Sequence, residues 1–326
     1  MCTAISYHAH EHYFGRTLDL EYGYEETVTI TPRRHPLPFR LAGTMETHHA
    51  IIGIATVDRA SGYPLYYDAA NEHGLAIAAL NFPEYAVYLP PHVPDRDCIA
   101  PFEIIPWVLG QCTSTAEAET LLKDCAIVEI AFSDTLPLTP LHWMIADKER
   151  SIVLEQTADG LRLMENPIGV LTNSPPFPAQ MAHFRCFRNL SSETPSLPFA
   201  PALNLPPISR GLGAMGLPGD WSSPSRFVRA AFALGNAPVE ENEFAAIEQF
   251  FHLTDSVSIP RGCVRVGEHF VTTRYTSCCS TAQGIYYWTT YDNRQIRSVE
   301  LKKSDLRENR TISFPMHSAR QIHRFN

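Results

Sequence analysis

Cys2 is the residue whose type and position most directly suggest chemistry. Methionine aminopeptidase removes Met1 when the next residue is small, and its action here would leave Cys2 with both a thiol and the free α-amino group of the chain. The reference pKa of an α-amino group is about 7.7–8.0, against about 10.4 for lysine, so a substantial neutral fraction exists near pH 7. Such an amine can accept the proton of its own thiol, directly or through a water molecule. Position alone is equally compatible with a structural cysteine, because any second residue can be cysteine by chance.

Arg16 and Asp19 are the first candidate partners of that thiol. They lie three residues apart, directly after a glycine. A guanidinium near the thiol favours the thiolate and disfavours protonation of the amine, and a carboxylate can orient either group by hydrogen bonding. The same pair is also compatible with an ion pair at the surface.

Asn81 and Asn173 each end a strand-like run at a proline-containing turn, in Leu-Asn-Phe-Pro at 80–83 and Leu-Thr-Asn-Ser-Pro at 171–175. Side-chain amides at strand ends are good hydrogen-bond donors to an oxyanion. One such donor contributes about 2.7–4 kcal/mol in an acyl transfer. Either asparagine is equally compatible with a turn-forming role.

The remaining cysteines and the histidines show no pattern for a metal or for catalysis. The eight cysteines include no C-x-x-C pair, and Cys278 and Cys279 are adjacent, which does not suit a zinc site. We therefore predict no metal site. The cysteines other than Cys2 are predicted to be small buried hydrophobic residues, with Cys125 on a helix face and Cys263 beside a valine. The 14 histidines match no catalytic spacing and are predicted to be surface or core residues.

The composition is that of a folded, acidic protein. The 326 residues include 26 lysines and arginines against 35 aspartates and glutamates, which gives a formal net charge of −9. With 44% hydrophobic and 19% charged residues, the chain is too apolar to be disordered. No cluster of basic residues is dense enough to follow a phosphate backbone, so we expect no nucleic-acid partner.

Neither a membrane span nor a secretory signal is recognisable in the sequence. The longest apolar stretches, 50–57 and 75–82, are far shorter than the roughly 20 residues that cross a bilayer. The N-terminus lacks the basic start and the apolar core of a signal peptide. We therefore expect a cytoplasmic protein that does not insert into membranes and whose thiols are reduced.

Short runs rich in β-branched and aromatic residues recur along the chain and predict a large, mostly antiparallel sheet system. The predicted strands are 27–31, 51–57, 76–80, 142–146, 151–155, 269–275 and 285–290. Residues 191–219 are rich in Pro, Ser and Gly, which predicts a long irregular loop. Strand patterns continue on both sides of this loop, so we expect one domain over residues 1–326.

Three segments have the apolar spacing of amphipathic helices. The first begins after the cap candidates Thr113 and Ser114, and the second begins at the Ser-Ser-Pro sequence of 222–224. The third runs from about 240 to 254. The predicted buried faces are Ala118, Leu121, Leu122 and Cys125 in the first helix, Phe227, Ala230, Ala231 and Leu234 in the second, and Phe244, Ile247 and Phe251 in the third. The helices fall into groups before and after the middle strands, which suggests that they cover sheets.

Several sequence blocks, spread over nearly the full chain, occur in a specific order and spacing. They are Met-Cys-Thr-Ala-Ile at 1–5, Phe-Gly-Arg-Thr-Leu-Asp at 14–19, Leu-Asn-Phe-Pro at 80–83, Leu-His-Trp-Met-Ile-Ala-Asp at 141–147, Gly-Val-Leu-Thr-Asn-Ser-Pro at 169–175, Gly-Leu-Pro-Gly-Asp at 216–220, Ser-Arg-Phe-Val-Arg at 225–229, Tyr-Thr-Ser-Cys at 275–278 and Gly-Ile-Tyr-Tyr at 284–287. Together they resemble the choloylglycine hydrolase family. Within that family the resemblance is to the bile salt hydrolase branch of Gram-positive bacteria, whose neighbour is the penicillin V acylase branch.

The resemblance implies an α+β fold, a four-layer αββα N-terminal-nucleophile hydrolase sandwich of two antiparallel sheets flanked by helices. It also implies assembly as a homotetramer, a mature chain that begins at Cys2, and no metal or organic cofactor. The residues that it assigns to catalysis are Cys2 as the nucleophile, with Arg16, Asp19, Asn81, Asn173 and Arg226. In the penicillin V acylase branch a tyrosine commonly stands at the position of Asn81, which favours bile salts here.

The resemblance further implies cleavage of the amide bond of glycine- and taurine-conjugated bile acids through a thioester on Cys2. An apolar pocket must bury the steroid, which yields roughly 25 cal/mol per Å² of apolar area. The pocket residues that follow from family position are Leu18, Phe132, Leu136 and Leu141, and each is also compatible with an ordinary core role. Arg210, in the long loop, could meet the carboxylate or sulfonate of the substrate or lie solvated at the surface.

Two other functions remain open at this point. The first is hydrolysis of penicillin V or of N-acyl homoserine lactones on the same scaffold, with a different acyl pocket. The second is a catalytically silent protein that binds bile acid or another amphiphile. Retention of Met1 would favour the silent protein, because Cys2 would then have no free amine.

Overall fold

A computed structural model gives the fold and describes residues 1–197, 200, 202–203, 205–316, 320, 322 and 324–326. The strands are β1 (Cys2–His8), β2 (His12–Leu20), β3 (Thr27–Thr31), β4 (Leu37–Pro38), β5 (Thr44–Met45), β6 (Ile51–Val57), β7 (Pro64–Asn71), β8 (Ala76–Asn81), β9 (Asp97–Ile99), β10 (Cys125–Ile127), β11 (Leu141–Ala146), β12 (Ser151–Thr157), β13 (Gly160–Glu165), β14 (Val170–Leu171), β15 (Arg265–Val266), β16 (His269–Phe270), β17 (Thr272–Ser280), β18 (Ile285–Thr290), β19 (Arg297–Glu300) and β20 (Ile312–Pro315). The α-helices are α1 (Ile104–Gln111), α2 (Thr115–Lys123), α3 (Phe177–Phe184), α4 (Ser223–Gly235) and α5 (Glu243–Asp255). Short 3-10 turns lie at Pro101–Glu103, Arg185–Phe187, Leu212–Ala214 and Leu301–Lys303.

Two large antiparallel sheets form the centre of the molecule. One has six strands in the order β14-β1-β2-β17-β18-β19, and the other has eight in the order β13-β12-β11-β8-β7-β6-β3-β20. Strands β1 and β2 contact β8 across the interface between the sheets. Helix α1 covers β6, β7 and β8, while α4 and α5 cover β1, β2, β14 and β17. The layers therefore follow the order α, β, β, α, and the predicted four-layer architecture is confirmed.

The eight-stranded sheet separates two hydrophobic cores. Because side chains alternate along a strand, successive residues of β8 enter different cores. Ile77 and Ala79 pack with α1 and α2, whereas Ala78 and Leu80 pack with the six-stranded sheet. Strands β1 and β2 are covered on both faces, so they are buried along almost their whole length. Any polar residue on these two strands must find its partners inside the protein.

Most of the predicted strands are confirmed, and one is wrong in its extent. Strands 27–31, 51–57 and 285–290 match β3, β6 and β18, while β8, β11 and β12 extend the predicted ranges by one or two residues. The run 269–275 is not continuous. His269–Phe270 pairs with Arg265–Val266 in a small hairpin, and β17 begins separately at Thr272.

The three predicted helices exist, with two errors at their ends. Helix α2 starts at its Ser114 cap, which accepts a hydrogen bond from the Glu117 N–H, but it ends at Lys123, so Cys125 lies in β10 rather than on a helix face. Helix α5 starts at Glu243, after the Asn242 cap. Phe244 in its first turn is 80% exposed, so the prediction that it points inward is wrong.

The buried face of α4 matches the prediction more closely. Phe227, Ala230 and Ala231 are buried, and Leu234 is half-buried. In the 191–219 segment, residues 198, 199, 201 and 204 lie outside the described ones, and the 3-10 turn Leu212–Ala214 interrupts the irregular backbone of the rest. Of the cysteines predicted to be buried, Cys186 and Cys263 are exposed. None of the described helices has the length and apolar character that crossing a membrane requires.

Candidate active site

Cys2 is the first residue of β1 and lies in the interface between the two sheets. In the β1–β2 ladder it pairs with Leu18, and Ala4 pairs with Arg16. Arg16 extends toward the eight-stranded sheet, where its Nη1 donates to the backbone carbonyls of Tyr67, at 3.1 Å, and Ala79. The alternation of side chains along antiparallel strands therefore places the Cys2 thiol and the Arg16 guanidinium on the same face.

The surroundings of Cys2 favour its thiolate. The thiol is buried, and burial alone would raise its pKa. The charge of Asp19 also acts to raise it. The positive charges of Arg16 and of the Met1 amino group, together with a hydrogen bond from the backbone of Asn81, outweigh both effects. The pKa of Cys2 is therefore lowered below its usual value. A lowered pKa is what a cysteine nucleophile requires near neutral pH.

One nitrogen of the Arg16 guanidinium, the group whose charge favours the Cys2 thiolate, is not used in hydrogen bonds among the described residues. Its side chain is fully buried, and within the described part of the chain Nη2 has no hydrogen-bond partner. Burial disfavours the charged guanidinium, but the negative character of Cys2, Tyr275 and Asp68 outweighs it and the pKa of Arg16 is raised. The carboxylate of Asp68 is held by hydroxyl donors from β17 and β18: Tyr275 and Ser277, each at 2.8 Å, and Tyr286.

Asn173 follows β14 and holds the backbone nitrogen of Cys2. That nitrogen donates to Asn173 Oδ1 at 2.8 Å, and Arg226 Nη2 donates to the same oxygen at 2.7 Å. A guanidinium can only donate, so the atom that faces it must be the amide oxygen. Asn173 Nδ2 therefore points the other way and donates to the backbone carbonyl of Asn81 at 2.7 Å.

Arg226, in the first turn of α4, fixes the start of β1 from the helix side. Its Nη1 donates to the backbone carbonyl of Cys2 and to Thr3 Oγ1, the latter at 2.6 Å, and its Nε donates to the Trp221 carbonyl at 3.1 Å. Asp19 Oδ2 lies 3.9 Å from Nη1, and both side chains are fully buried. Arg16 and Asp19 are three positions apart on β2, so their side chains lie on opposite faces of the strand.

Asp19 is held by hydroxyl groups as well as by charge. Thr273, its partner in the β2–β17 ladder, donates to Asp19 Oδ1 at 2.6 Å, and Thr17 donates to Oδ2 at 3.2 Å. The Thr273 hydroxyl also accepts the Ile259 N–H at 2.8 Å, so its proton is committed to Asp19. The backbone N–H of Asp19 donates to the backbone carbonyl of Met1 at 2.9 Å, so the hydrogen bonding between β1 and β2 continues to the residue before Cys2.

All the predicted catalytic residues thus lie in one connected cluster, and Asn81 enters it through its backbone. A role for its side-chain amide, expected from the sequence, stays a prediction. Its backbone both approaches Cys2 and accepts from Asn173. A thiolate beside a cation can attack a carbonyl carbon. The neighbouring N–H groups can then stabilise the negative charge that develops on the carbonyl oxygen.

The predicted substrate residues divide into two groups. Leu18 is opposite Cys2 and Leu141 is opposite Asn81 in their ladders, so both adjoin the cluster. Phe132 packs instead on Phe102, with ring centroids 5.2 Å apart, in the core beneath α1. Leu136 is half-buried in the loop that follows, and Arg210 is exposed.

Side chains that the sequence reasoning did not select support those it did. They are Thr273, Asp68, Ser223 and Gln180. Ser223 Oγ accepts the Asn173 N–H at 2.8 Å, and Gln180 Nε2 donates to the carbonyls of Asn173 and Pro175. Ser223 belongs to the sequence that was interpreted only as a helix start. Gln180 lies five residues after the 169–175 block, and this proximity is the only feature of the sequence that points to it.

Comparison with known proteins identifies the family and the fold. The model of the linear amide C–N hydrolases, choloylglycine hydrolase family, matches residues 2–314. A bile salt hydrolase/transferase of Lactiplantibacillus plantarum is 47% identical, with both chains covered completely. The crystal structure of a mutant conjugated bile acid hydrolase from Clostridium perfringens superposes with a TM-score of 0.91 at 33% identity, and all of both chains is covered. Penicillin V acylase from Agrobacterium tumefaciens shares the fold, with a TM-score of 0.75 at 20% identity over 99% of this chain and 93% of that one.

The architecture and these structural matches define an N-terminal-nucleophile hydrolase sandwich. The chain belongs to the choloylglycine hydrolase family, and it is a hydrolase that acts on linear amide C–N bonds.

Replacement of Arg16 by Met is expected to raise the pKa of the Cys2 thiol, because it removes the positive charge that favours the thiolate. The pH profile of Cys2 alkylation by iodoacetamide, followed by mass spectrometry of the N-terminal peptide, should move upward by about 1–3 pH units. Arg16→Lys keeps the charge and serves as the control. A profile of Arg16→Met that superposes on the parent profile would show that Arg16 does not act on the thiol.

Thr273→Val is expected to lower the free energy of unfolding by about 1.5–3 kcal/mol, the cost of losing a hydrogen bond to a charged group. The substitution removes the donor to Asp19 and the acceptor of the Ile259 N–H together. Urea denaturation at one fixed protein concentration measures the change. Thr273→Ser keeps the hydroxyl and should stay close to the parent; equal stability of Thr273→Val and the parent would contradict the role assigned to this bond.

Proposed function

We propose that the protein is a bile salt hydrolase that cleaves the amide bond between a bile acid and glycine or taurine. The observation that carries the proposal is the hydrogen bond from the Cys2 backbone nitrogen to Asn173 Oδ1, on a residue whose thiol has a lowered pKa. Removal of Met1 would turn that nitrogen into the chain's free amine, with Asn173 Oδ1 in place to accept a hydrogen bond from it. Cys2 would then carry the nucleophile and the base in one residue.

In the proposed first half-reaction, the Cys2 thiolate attacks the amide carbonyl carbon of the conjugate. The backbone N–H of Asn81 and the second N–H of Asn173 Nδ2 are the donors available to the resulting oxyanion. When the tetrahedral intermediate collapses, the C–N bond breaks, the Cys2 ammonium gives its proton to the departing amine, and an acyl thioester remains. Arg16 stabilises the thiolate before attack.

In the second half-reaction, the Cys2 amine accepts a proton from water as the water attacks the thioester. The C–S bond breaks, and the free bile acid and the thiolate are released. The terminal amine thus gives up a proton in the first half-reaction and regains one from water in the second. Asn173 and Arg226 keep that nitrogen in place through both steps. No step uses a cofactor.

The apolar residues beside the cluster are the proposed binding surface for the steroid. Leu18 and Leu141 adjoin Cys2 and Asn81. The loop that carries the half-buried Leu136, with Phe132 packed on Phe102 beneath α1, is proposed to supply the outer part. Burial of a rigid steroid against these side chains favours binding without ordering a flexible ligand. Their role in binding is part of the proposal.

Penicillin V and N-acyl homoserine lactones are the alternative substrates on the same scaffold. The similarity to the bile salt hydrolase/transferase of Lactiplantibacillus plantarum favours bile salts, and so does the asparagine at position 81. A protein that only binds amphiphiles remains the alternative of another class, and the favoured thiolate of Cys2 argues for catalysis instead.

We place the protein in the cytoplasm as a single catalytic domain that assembles into a homotetramer. A reducing compartment suits the exposed thiols of Cys186 and Cys263. Assembly would cover exposed apolar side chains of the long loop before α4. These are Leu203, Leu205, Ile208 and Met215.

The proposed function is tested by amine release from glycocholate and taurocholate, with phenoxyacetate release from penicillin V measured in parallel. We expect turnover of both bile salts to exceed that of penicillin V. Cys2→Ala should reduce turnover by on the order of 10³-fold or more, because the nucleophile is lost. Intact mass of the parent should show that Met1 is absent.

Each outcome of this experiment separates the candidates. Glycine release by Cys2→Ala would overturn the nucleophile assignment. Turnover confined to penicillin V would favour the acylase alternative. Retention of Met1 together with bile-salt binding and no turnover would favour the silent amphiphile-binding protein.

A further inference from the structure

A cluster of metal-ligating side chains lies outside the catalytic site. His49 precedes β6, and Glu72 and His73 form the turn between β7 and β8. This turn is at the opposite end of β8 from Asn81, about 20 Å away at the rise of an extended strand. One ligand atom from each residue lies within 4.8 Å of the other two.

The two imidazoles already have nearly the spacing that a shared metal ion imposes. His49 Nδ1 and His73 Nε2 lie 3.1 Å apart, and the two rings are nearly perpendicular with their centroids 4.4 Å apart. Two nitrogens bound to one tetrahedral Zn²⁺ at about 2.0–2.1 Å are about 3.3 Å apart. The backbone of Gln111 lies within hydrogen-bonding reach of the His49 ring, an outer contact of the kind that orients metal-binding histidines.

Glu72 supplies an oriented carboxylate with one position left open. Arg33 Nε and the Ala50 N–H donate to Glu72 Oε1, at 2.9 and 2.8 Å, and Arg33 Nη2 pairs with Oε2. A carboxylate offers about four lone-pair sites. Three are occupied, so one site on Oε2 remains for an ion, and the bound Arg33 fixes the direction of the carboxylate.

The backbone under the cluster is anchored by a buried asparagine. The side chain of Asn71 accepts the N–H of His73 at 3.0 Å and donates to the carbonyls of Leu109 and Cys112, at 2.9 and 2.7 Å. The His49 N–H donates to the Gly110 carbonyl at 3.0 Å. Both histidines are thereby tied to the end of α1, and a site whose ligands are held in place before binding loses less entropy on binding.

There is also space for a further ligand. His73 is exposed and lines a cavity of about 560 Å³ whose wall includes the β1–β2 turn and Thr113. A water molecule in that space could complete a four-coordinate shell of two nitrogens and two oxygens. Imidazole and carboxylate donors suit borderline ions such as Zn²⁺, Ni²⁺ and Co²⁺.

Contrary to the prediction of no metal site made from the sequence, we propose that His49, Glu72 and His73 form a binding site for a divalent transition-metal ion, with Zn²⁺ as the reference ion. In the empty site one imidazole donates its proton to the other across the 3.1 Å contact. On binding, the donor ring changes tautomer: its facing nitrogen gives its proton to water and the other ring nitrogen takes one up, so both facing nitrogens present lone pairs to the ion. The ion would join the start of β6 to the β7–β8 turn.

The test is a competition titration of Zn²⁺ against a chromophoric chelator, with the triple variant Cys2→Ala, Cys186→Ser, Cys263→Ser as the parent, so that neither the active-site thiol nor the two exposed thiols can bind the ion. We expect one Zn²⁺ per chain. His49→Gln and His73→Gln should each weaken binding by more than about tenfold, since even outer-shell changes cost 10–100-fold. His10→Gln is the matched control, because His10 is exposed on the same cavity wall but lies outside the cluster, and it should bind as the parent does.

A spectroscopic measurement on the parent gives a result that does not depend on how the variants fold. Co²⁺ bound to two nitrogens and two oxygens should show the visible bands of a four-coordinate ion without thiolate charge-transfer absorption. Unchanged Zn²⁺ affinity in His49→Gln and His73→Gln, an equal loss in His10→Gln, or thiolate absorption with Co²⁺ would each overturn the proposal. Because the readout is metal binding by an inactive parent, it is independent of the proposed hydrolase activity.

Discussion

The contact on which the site most depends is that between Arg226 and the first residues of β1. A fully buried guanidinium loses the solvation of water, at a cost of several kcal/mol unless its donors are satisfied. Here they are satisfied by the Cys2 carbonyl, Thr3 Oγ1 and Asn173 Oδ1, with Asp19 as the nearby counter-charge. The same bonds hold the strand end and orient the Asn173 amide. Packing of α4 against β1 and alignment of Cys2, the proposed nucleophile, therefore depend on the same hydrogen bonds.

Charge is divided between the two faces of the β1–β2 pair. On the face toward the eight-stranded sheet, Arg16 lies beside the Cys2 thiol and is balanced by Asp68. On the helix side, Asp19 faces Arg226. This separation lets one cation act on the sulfur while the other holds the backbone, and neither has to release its own bonds for the reaction. Preorganisation of this kind is the main way in which a folded site stabilises charge that appears only during a reaction.

Short motifs located parts of the site, but local patterns found only some of the elements. Cap residues placed α2 and α4 correctly, and runs rich in β-branched and aromatic residues predicted β3, β6, β8, β11, β12 and β18. Neither β1 and β2, which carry Cys2, Arg16 and Asp19, nor α1 and α3 were predicted. Helical spacing failed at Cys125 and Phe244, because spacing does not reveal where a helix ends or which turn the sheet covers. Both errors lie at helix ends: Cys125 follows the end of α2 and is buried in β10, and Phe244 lies in the first turn of α5 and is exposed.

Contacts between distant strands could not be predicted in this way. Thr273 reaches Asp19 through the register of β2 and β17, and Asp68 collects hydroxyl groups from strands more than 200 residues later in the chain. His49 and His73 likewise meet only through the pairing of β6 with β7 and the turn into β8. The resemblance to a family carried over its motif residues but not the side chains that position them.

In the proposed reaction, Cys2, freed at the N-terminus, forms the covalent link to the acyl group. This link can be detected by acid quench during turnover of a conjugated bile salt, followed by peptide mass spectrometry. We expect a peptide that begins at Cys2 and carries the bile acyl group as a thioester, which disappears when substrate is exhausted. Turnover by protein that retains Met1, or an acyl group attached to any other residue, would contradict it.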